Sequence, residues 1–312
     1  MKSILNIGLV GCGHWGKNIL RDLKTLNCKV WVVVTSEQSL TNAKQFEADH
    51  LVAHVNDLPS FLDGYIVATP DSTHTEVIKS LLSRQQPIFV EKPLTIDADE
   101  ARLLASIGSE LIFVMDKWRY HAGIEALADI ASTQKFGKPL SLRSVRRQWQ
   151  HRSLDADEVW HLGTHDLSIT KHILGTYGFP IAAIPEWLDN RLVGLCGFLD
   201  VNGIPSSITV SCRSIEFTRR VELLCETGVA VMHDPYADHI LISQDAFDKQ
   251  PQKYPINNIF PLLKELTAFI EYLSGGPAPL SSVQDAAGAV EKLAELRELA
   301  ITKFPCYSST MN

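Results

Sequence analysis

Three groups of residues in this sequence have types and spacings that could do chemistry. The first is Gly8-Leu-Val-Gly11-Cys-Gly13-His-Trp-Gly16, a G-x-G-x-x-G pattern that follows the apolar run Ile4 to Val10. Glycines so spaced allow a tight turn, close approach of a pyrophosphate to the backbone, and tight packing of a following helix whose N-terminus attracts phosphate. The alternative is a tight packing turn with no ligand; the strand before the pattern and the helix after it favour a dinucleotide, with Gly11, Gly13, His14, Trp15 and Gly16 facing it. The second is Lys92, in Gln86-Pro87-Ile-Phe-Val-Glu91-Lys92-Pro93-Leu94, just past another apolar run. The third is the histidine pair His161 and His165 in Val159-Trp160-His161-Leu162-Gly163-Thr164-His165. Oxidising an alcohol beside a nicotinamide requires a base or hydrogen-bond partner for the hydroxyl while hydride departs. A solvated lysine, pKa about 10.4, serves poorly, but desolvation and a neighbouring positive charge lower that value. Imidazole titrates near neutrality and suits a proton shuttle. A helix histidine taken by itself is as readily the partner of a backbone carbonyl.

The elements that must position these groups are readable from periodicity. From residue 3 to about 118, strand-like runs (Ile4 to Val10, Lys29 to Val34, Gly64 to Ala68, Pro87 to Val90, Leu111 to Met115) alternate with helical spacings such as Ile19, Leu20, Leu23 and Leu26. Continuous apolar strands joined by helices specify a doubly wound parallel sheet, a Rossmann-type α/β domain, at whose carboxyl edge ligands sit. Beyond Tyr120 a helix, Ile124 to Ser132, is followed by longer runs with polar interruptions: Leu140 to Trp149, Leu192 to Val201, Ser206 to Arg213, Arg219 to Cys225 and Val229 to His233. These read as an α+β domain with a large, mostly antiparallel sheet and helices on one face. Two helices close the chain, Phe260 to Ser274 and Ser282 to Ala300, the second with Ser282 and Asp285 as a capping box. The expected division is a dinucleotide-binding domain, residues 1–119, and a substrate and oligomerisation domain, residues 120–312.

Composition narrows the partners. The 312 residues carry 29 basic and 36 acidic side chains, net charge -7, and 45% are hydrophobic. That is globular composition with enough apolar surface for more than one core, and its negative field disfavours nucleic acid. Six scattered cysteines without a C-x-x-C pair fit a reducing cytoplasm, and no apolar run is long enough for a membrane helix.

Cofactor choice turns on the end of the second strand, Val34-Thr35-Ser36-Glu37. The position expected to hold a ribose-binding acid holds a hydroxyl, and no arginine follows to grip a 2'-phosphate. NAD is favoured because Glu37 would repel that phosphate, although Thr35 and Ser36 could bind it.

At Glu91-Lys92-Pro93 the sequence resembles the Gfo/Idh/MocA family, to which glucose-fructose oxidoreductase and inositol dehydrogenase belong. Thr69-Pro70-Asp71-Ser72-Thr73-His74 after the fourth strand, the opening glycine loop, Met115-Asp116-Lys117-Trp118-Arg119-Tyr120, the segment Val221 to Met232 and Pro261 to Phe269 are similar to the family's pieces in order and spacing. The resemblance implies that Lys92 lies beside the nicotinamide and contacts the reacting hydroxyl, commonly with a cis peptide to Pro93. It implies that His165 shares acid-base duty, and that Thr69, Pro70, His74 and Glu91 adjoin the cofactor, His74 in a structural or cofactor-side role. His161 stands where the family has aspartate. A carboxylate there would bind substrate hydroxyls and raise the lysine's pKa, whereas imidazole would lower it; either two histidines share the relay or catalysis is weakened. Arg119, Trp160, His161 and His165 are expected against substrate, with Tyr120, Arg146, Arg147, Trp149, His151 and Arg152 as further pocket candidates, of which Arg146 and Arg147 must point to opposite faces of a strand. His161, His165 and His172 also invite a zinc reading, but no third ligand has a recognisable spacing and no metal is expected.

The expectation is an NAD(P)-dependent oxidoreductase acting on a hydroxyl or keto carbon of a sugar, cyclitol or sugar derivative, working as a homodimer or homotetramer. A dinucleotide-binding regulator on the same fold, or an NAD-dependent glycosidase without net redox change, are the competing readings. Substrate, stereochemistry, direction and pathway are not encoded in any motif.

Overall fold

A computed structural model of the chain describes residues 4–149, 157–244, 250–257 and 260–306. The chain forms two compact units, Met1–Lys117 with Phe260–Ala287, and Trp118–Ile259 with Gly288–Asn312.

In the first unit, strands β1 (Asn6–Val10), β2 (Lys29–Val33), β3 (His50–Val52), β4 (Gly64–Val67), β5 (Ile88–Val90) and β6 (Ile112–Val114) alternate with helices α1 (Gly16–Thr25), α2 (Glu37–Gln45), α3 (His74–Leu82) and α4 (Ala98–Ile107). The six strands lie in the order β3-β2-β1-β4-β5-β6, each pair parallel. The order reverses beside β1, which creates the crevice where doubly wound sheets bind ligands. Strands β4 to β6 are buried at every position, as a parallel sheet covered on both faces requires. The core joins Ile7, Leu9, Ile19, Leu23, Val32, Ile66 and Phe89.

In the second unit, α5 (Ala122–Ser132) leads into β7 (Pro139–Trp149), α6 (Glu158–Leu174), β8 (Phe179–Leu188), β9 (Arg191–Val201), β10 (Ile204–Ser211), β11 (Arg213–Cys225), β12 (Gly228–Met232), β13 (His239–Ser243) and β14 (Gln252–Pro255). The eight strands run β14-β13-β12-β11-β7-β10-β9-β8, antiparallel throughout except for β7 with β10. Helices α5 and α6 pack on the sheet and on each other. The core is built from Ile124, Leu127, Ile169, Ile173, Leu142, Leu223 and Met232.

Helices α7 (Pro261–Leu273) and α8 (Val283–Lys303) complete the chain, and the Ser282 hydroxyl accepts the Asp285 N–H at 3.1 Å to start α8. The single division expected at 119/120 differs from the observed units, because α7 and the start of α8 return to the first. The reason is burial: Leu266 and Phe269 belong to the same core as β1 and α1, and the Phe269 ring stacks on Phe89 with centroids 4.8 Å apart. Strand β8 escapes a reading by alternation because Pro180 and Pro185 interrupt it; it lies at the sheet edge, where a missing N–H is tolerated.

Candidate active site

At the switch point of the first unit, the glycine loop fits a pyrophosphate. Gly11 has φ +90°, and a Cβ on it would meet the Ala68 carbonyl oxygen at 2.6 Å, so only glycine makes this turn beside β4. A Cβ on Gly16 would fall on the Gly11 carbonyl oxygen, which explains the third glycine as a packing requirement. Gly13 is different: a Cβ there meets nothing within 4 Å. Open space beside Gly13 is what close approach of a ligand to the backbone demands, and α1 begins with no side-chain cap on its first N–H groups. These features accommodate a dinucleotide phosphate. Trp15, the residue preceding α1, and His14 are exposed on the loop, their rings edge to face at 5.8 Å.

The loop is braced from α2 by two side chains that motif reading misses. Ser39 accepts the Cys12 N–H at 3.2 Å, and the Asn42 amide donates to the carbonyls of Cys12 at 2.8 Å and Gly13 at 3.2 Å. Both are buried polar residues on a helix, a burial that the local sequence pattern does not record. Thr35 and Ser36 are exposed just past β2, with Ser36 capping α2 through the Ser39 N–H at 3.1 Å. Cys12, in the middle of the loop, has its thiol pushed up to about 11 by burial, which leaves it protonated and unreactive.

Thr69 and Pro70 follow β4, where the Thr69 hydroxyl accepts from Thr73 at 2.8 Å. His74 is fully buried, with its ring nitrogens 2.8 Å from the Pro93 carbonyl oxygen and 3.0 Å from that of Thr69. Burial lowers its pKa, against the opposing pull of Asp71 and the carbonyls. His74 therefore ties the segment after β4 to the segment after β5, a structural role that holds the lysine's loop. The Lys92–Pro93 peptide is cis. Lys92 itself is half-buried, and its backbone N–H donates to the Glu91 carboxylate at 3.1 Å. Burial pushes the Glu91 carboxyl up, while Lys92, Lys117 and the backbone N–H of Lys92 pull it down and Asp71 raises it further. Glu265, on α7 and 2% exposed, is held well above the usual carboxylate range by burial and by Glu91 and Asp116. Sequence reading did not single out Glu265 or Lys117.

In the second unit, α6 starts at Asp157, whose carboxylate accepts the Val159 N–H at 3.2 Å and pairs with Arg297 at 2.6 Å. Trp160, His161 and His165 share the first turns of α6. The Arg297 guanidinium lies 4.8 Å from the Trp160 ring centre. His161 is half-buried, and His165 is buried with its ring edge to face with Trp118 at 6.2 Å. Arg146 covers the same Trp118 ring at 4.4 Å and bonds Asp166 through Nε at 2.5 Å; Asp166 also accepts from Ser144. Arg119 is buried, its Nε donating to the Ser168 hydroxyl at 2.8 Å. The turn Lys117–Tyr120, β7 and α6 are thus joined by a charged and aromatic network directly behind His165.

Alternation along β7 buries Arg146 and exposes Arg147 and Trp149, as expected for neighbours on a strand. His151 and Arg152 lie outside the described residues. Among the described residues no three His, Cys, Asp or Glu side chains gather as metal ligands, and no helix is long and apolar enough to cross a membrane. The structure thus places the glycine loop, Thr35, Ser36, Thr69, Pro70, His74, Glu91 and Lys92 around one sheet edge of the first unit. It places Arg119, Trp160, His161 and His165 around α6 of the second.

A switch point of this kind in a doubly wound sheet is that of a dinucleotide-binding Rossmann domain. Residues 5–110 match the model of the Gfo/Idh/MocA oxidoreductase family, NAD-binding Rossmann fold. Over those residues the chain is similar to that family. An inositol 2-dehydrogenase of Ralstonia nicotianae is 26% identical over 314 residues, 91% of this chain and 90% of its own length. Two solved structures share the fold across both units. The UDP-N-acetylglucosamine 3-dehydrogenase of Acidithiobacillus ferrooxidans has TM-score 0.83 at 20% identity, covering 97% of this chain and 100% of its own. An oxidoreductase from Agrobacterium radiobacter in complex with NAD+, L-tartaric acid and magnesium has TM-score 0.85 at 16% identity, covering 96% and 97%.

Proposed function

We propose that this protein moves a hydride between a nicotinamide dinucleotide and a hydroxyl- or keto-bearing carbon of a sugar, cyclitol or sugar derivative. The observation that carries this reading is the open space at Gly13 on an uncapped helix N-terminus, on the same sheet edge as Lys92. The names of the similar proteins, inositol 2-dehydrogenase and UDP-N-acetylglucosamine 3-dehydrogenase, support polyhydroxylated rings as the substrate class. A bound nicotinamide supplies the hydride acceptor or donor. The backbone of Gly11, Gly13 and Gly16 and the residues Thr35 and Ser36 hold the dinucleotide. Lys92 takes the hydroxyl proton in the oxidative direction and returns it in the reductive one, and His165 is the second acid-base group of this reading. His161, in place of a carboxylate, weakens proton affinity around the reacting hydroxyl, so that His161→Asp is expected to displace the pH-rate profile. NAD is the cofactor, since an exposed Glu37 beside Ser36 repels a 2'-phosphate.

The test is turnover by wild type and Lys92→Ala with each of the four dinucleotides and a panel of cyclitols, sugars and nucleotide sugars. Lys92→Ala is expected to abolish turnover with dinucleotide affinity retained. A wild type that binds dinucleotide and turns over nothing in the panel is instead a sensor on this fold. Phe179, Ile181, Ile184 and Phe198 on β8 and β9 are exposed apolar side chains; their burial against a second copy is the basis for a homodimer or homotetramer, checked by light scattering. Six free cysteines accord with a reducing cytoplasm.

A further inference from the structure

Backbone N–H groups attract a phosphate and carbonyl oxygens repel it, so a glycine loop binds a pyrophosphate only with its peptides turned the right way. Asn42, 4% exposed on α2, reaches two of those peptides. Its side-chain amide donates to the Cys12 carbonyl at 2.8 Å and to the Gly13 carbonyl at 3.2 Å. The amide is itself held in that orientation, because Gln38, one turn earlier on α2, donates to the Asn42 side-chain oxygen at 3.0 Å. The Gly13 carbonyl also accepts the Lys17 N–H at 3.2 Å in the first turn of α1. Ser39 fixes the preceding peptide by accepting the Cys12 N–H at 3.2 Å.

We propose that Asn42 is a positioning residue for the cofactor's pyrophosphate: by drawing the carbonyls of Cys12 and Gly13 toward α2, it turns the N–H groups of Gly13 and His14 the other way, to meet the phosphates. This rests on the reading that the glycine loop takes a dinucleotide. A trans peptide is planar, and its carbonyl points opposite to the N–H of the next residue. The Cys12–Gly13 and Gly13–His14 peptides are both trans, so one donor group sets two N–H directions at once. The backbone at Gly13 has open space beside it, where a ligand can accept those N–H groups. Bonds from N–H to phosphate are charge-assisted and weaken steeply with angle, so a peptide that rotates loses what a fixed one gives. Glycine resists such rotation least of all residues. The clasp from α2 supplies the stiffness that a loop of glycines lacks, and Asn42 acts through the loop without touching the ligand.

The experiment uses the full-length protein as wild type and Asn42→Leu, which keeps the size of the side chain and removes the donor. Asn42→Ser, too short to span both carbonyls, replaces it should Asn42→Leu melt early. Asp63→Ala, which loses the bond to the Asn6 N–H at 2.7 Å at the other end of β1, controls for lost stability alone. Calorimetric titration below every melting transition gives affinities for NADH and NADPH, and competition gives those for ADP and adenosine. Glycine-selective 15N labelling follows the Gly13 N–H as ADP is added. In Asn42→Leu the affinities for dinucleotide and ADP fall about 10- to 100-fold, the loss expected from one misdirected bond to a charged group, while adenosine stays within about threefold of wild type. The Gly13 amide proton moves downfield with ADP in wild type and stays in place in the variant. An unchanged ADP affinity, a loss shared equally by adenosine, or the same loss in Asp63→Ala overturns the proposal and leaves the dinucleotide reading intact. A wild type that binds neither dinucleotide nor ADP overturns both.

Discussion

Gly13→Val separates ligand approach from folding in the glycine loop. A Cβ at Gly13 meets no atom within 4 Å, whereas one at Gly16 falls on the Gly11 carbonyl oxygen. Gly13 is also not among the glycines held in the left-handed region, so a branched side chain there adds no backbone strain. The variant without ligand should therefore melt at the wild-type temperature or slightly above it, since a stiffer unfolded chain contributes about 0.4–1 kcal/mol. The added methyls occupy the space a pyrophosphate needs and take away one or two hydrogen bonds to a charged group, each worth about 1.5–3 kcal/mol. That weakens the dinucleotide by about 100-fold, at about 1.4 kcal/mol per factor of ten. With dinucleotide at about 100 times the wild-type Kd, the ligand stabilises wild type by about 2.7 kcal/mol and the variant by about 0.4 kcal/mol. At about 2 °C per kcal/mol for a chain of this size, a melt should read about 5 °C for wild type and under about 1 °C for Gly13→Val. Gly16→Val, the control, should lower the midpoint before any ligand is added. A full wild-type shift in a well-folded Gly13→Val protein would refute the placement of the phosphates.

The network behind His165 and the buried acid on α7 yield two further predictions. Asp166 and Arg146 are 1% and 4% exposed, so Asp166→Ala strands a buried guanidinium and should cost about 3–5 kcal/mol in urea unfolding; a loss under about 1 kcal/mol would mean that water reaches the pair. Glu265 has a folded-state pKa raised well above its ordinary 4.5. The native state therefore binds more protons than the unfolded state above pH 4.5, and stability falls as pH rises through the raised value. Glu265→Gln removes this dependence, so the variant should be the more stable of the two at pH 8 and lose that advantage toward pH 4. Parallel stability curves for the two proteins across that range would show that the Glu265 carboxyl has the same pKa folded and unfolded.

Local order along the chain made much of this site legible. The apolar run into Gly11, the helix spacing after Gly16 and the segment around Lys92 each encode their element within a dozen residues, and the cis Lys92–Pro93 peptide accords with the family resemblance. The opposite fates of Arg146 and Arg147 follow from the two-residue period of a strand, but which of the two is buried depends on the helix laid against that face. Strand β3, only three residues long, and the edge strand β14, exposed at every position, carry too little pattern to be read at all.

Residue types and spacing alone determined the doubly wound domain, the dinucleotide loop and the lysine that follows the fifth strand, because period and turn chemistry act over short stretches of chain. Tertiary structure decided the rest: that α7 returns to the first unit and carries Glu265 to Glu91, that Ser39 and Asn42 clasp the glycine loop, and that Arg146 and Asp166 stand behind His165. Each of these joins residues far apart in the chain. Such a contact is set by which buried faces pack and which charges lose their water together, and no local pattern records either.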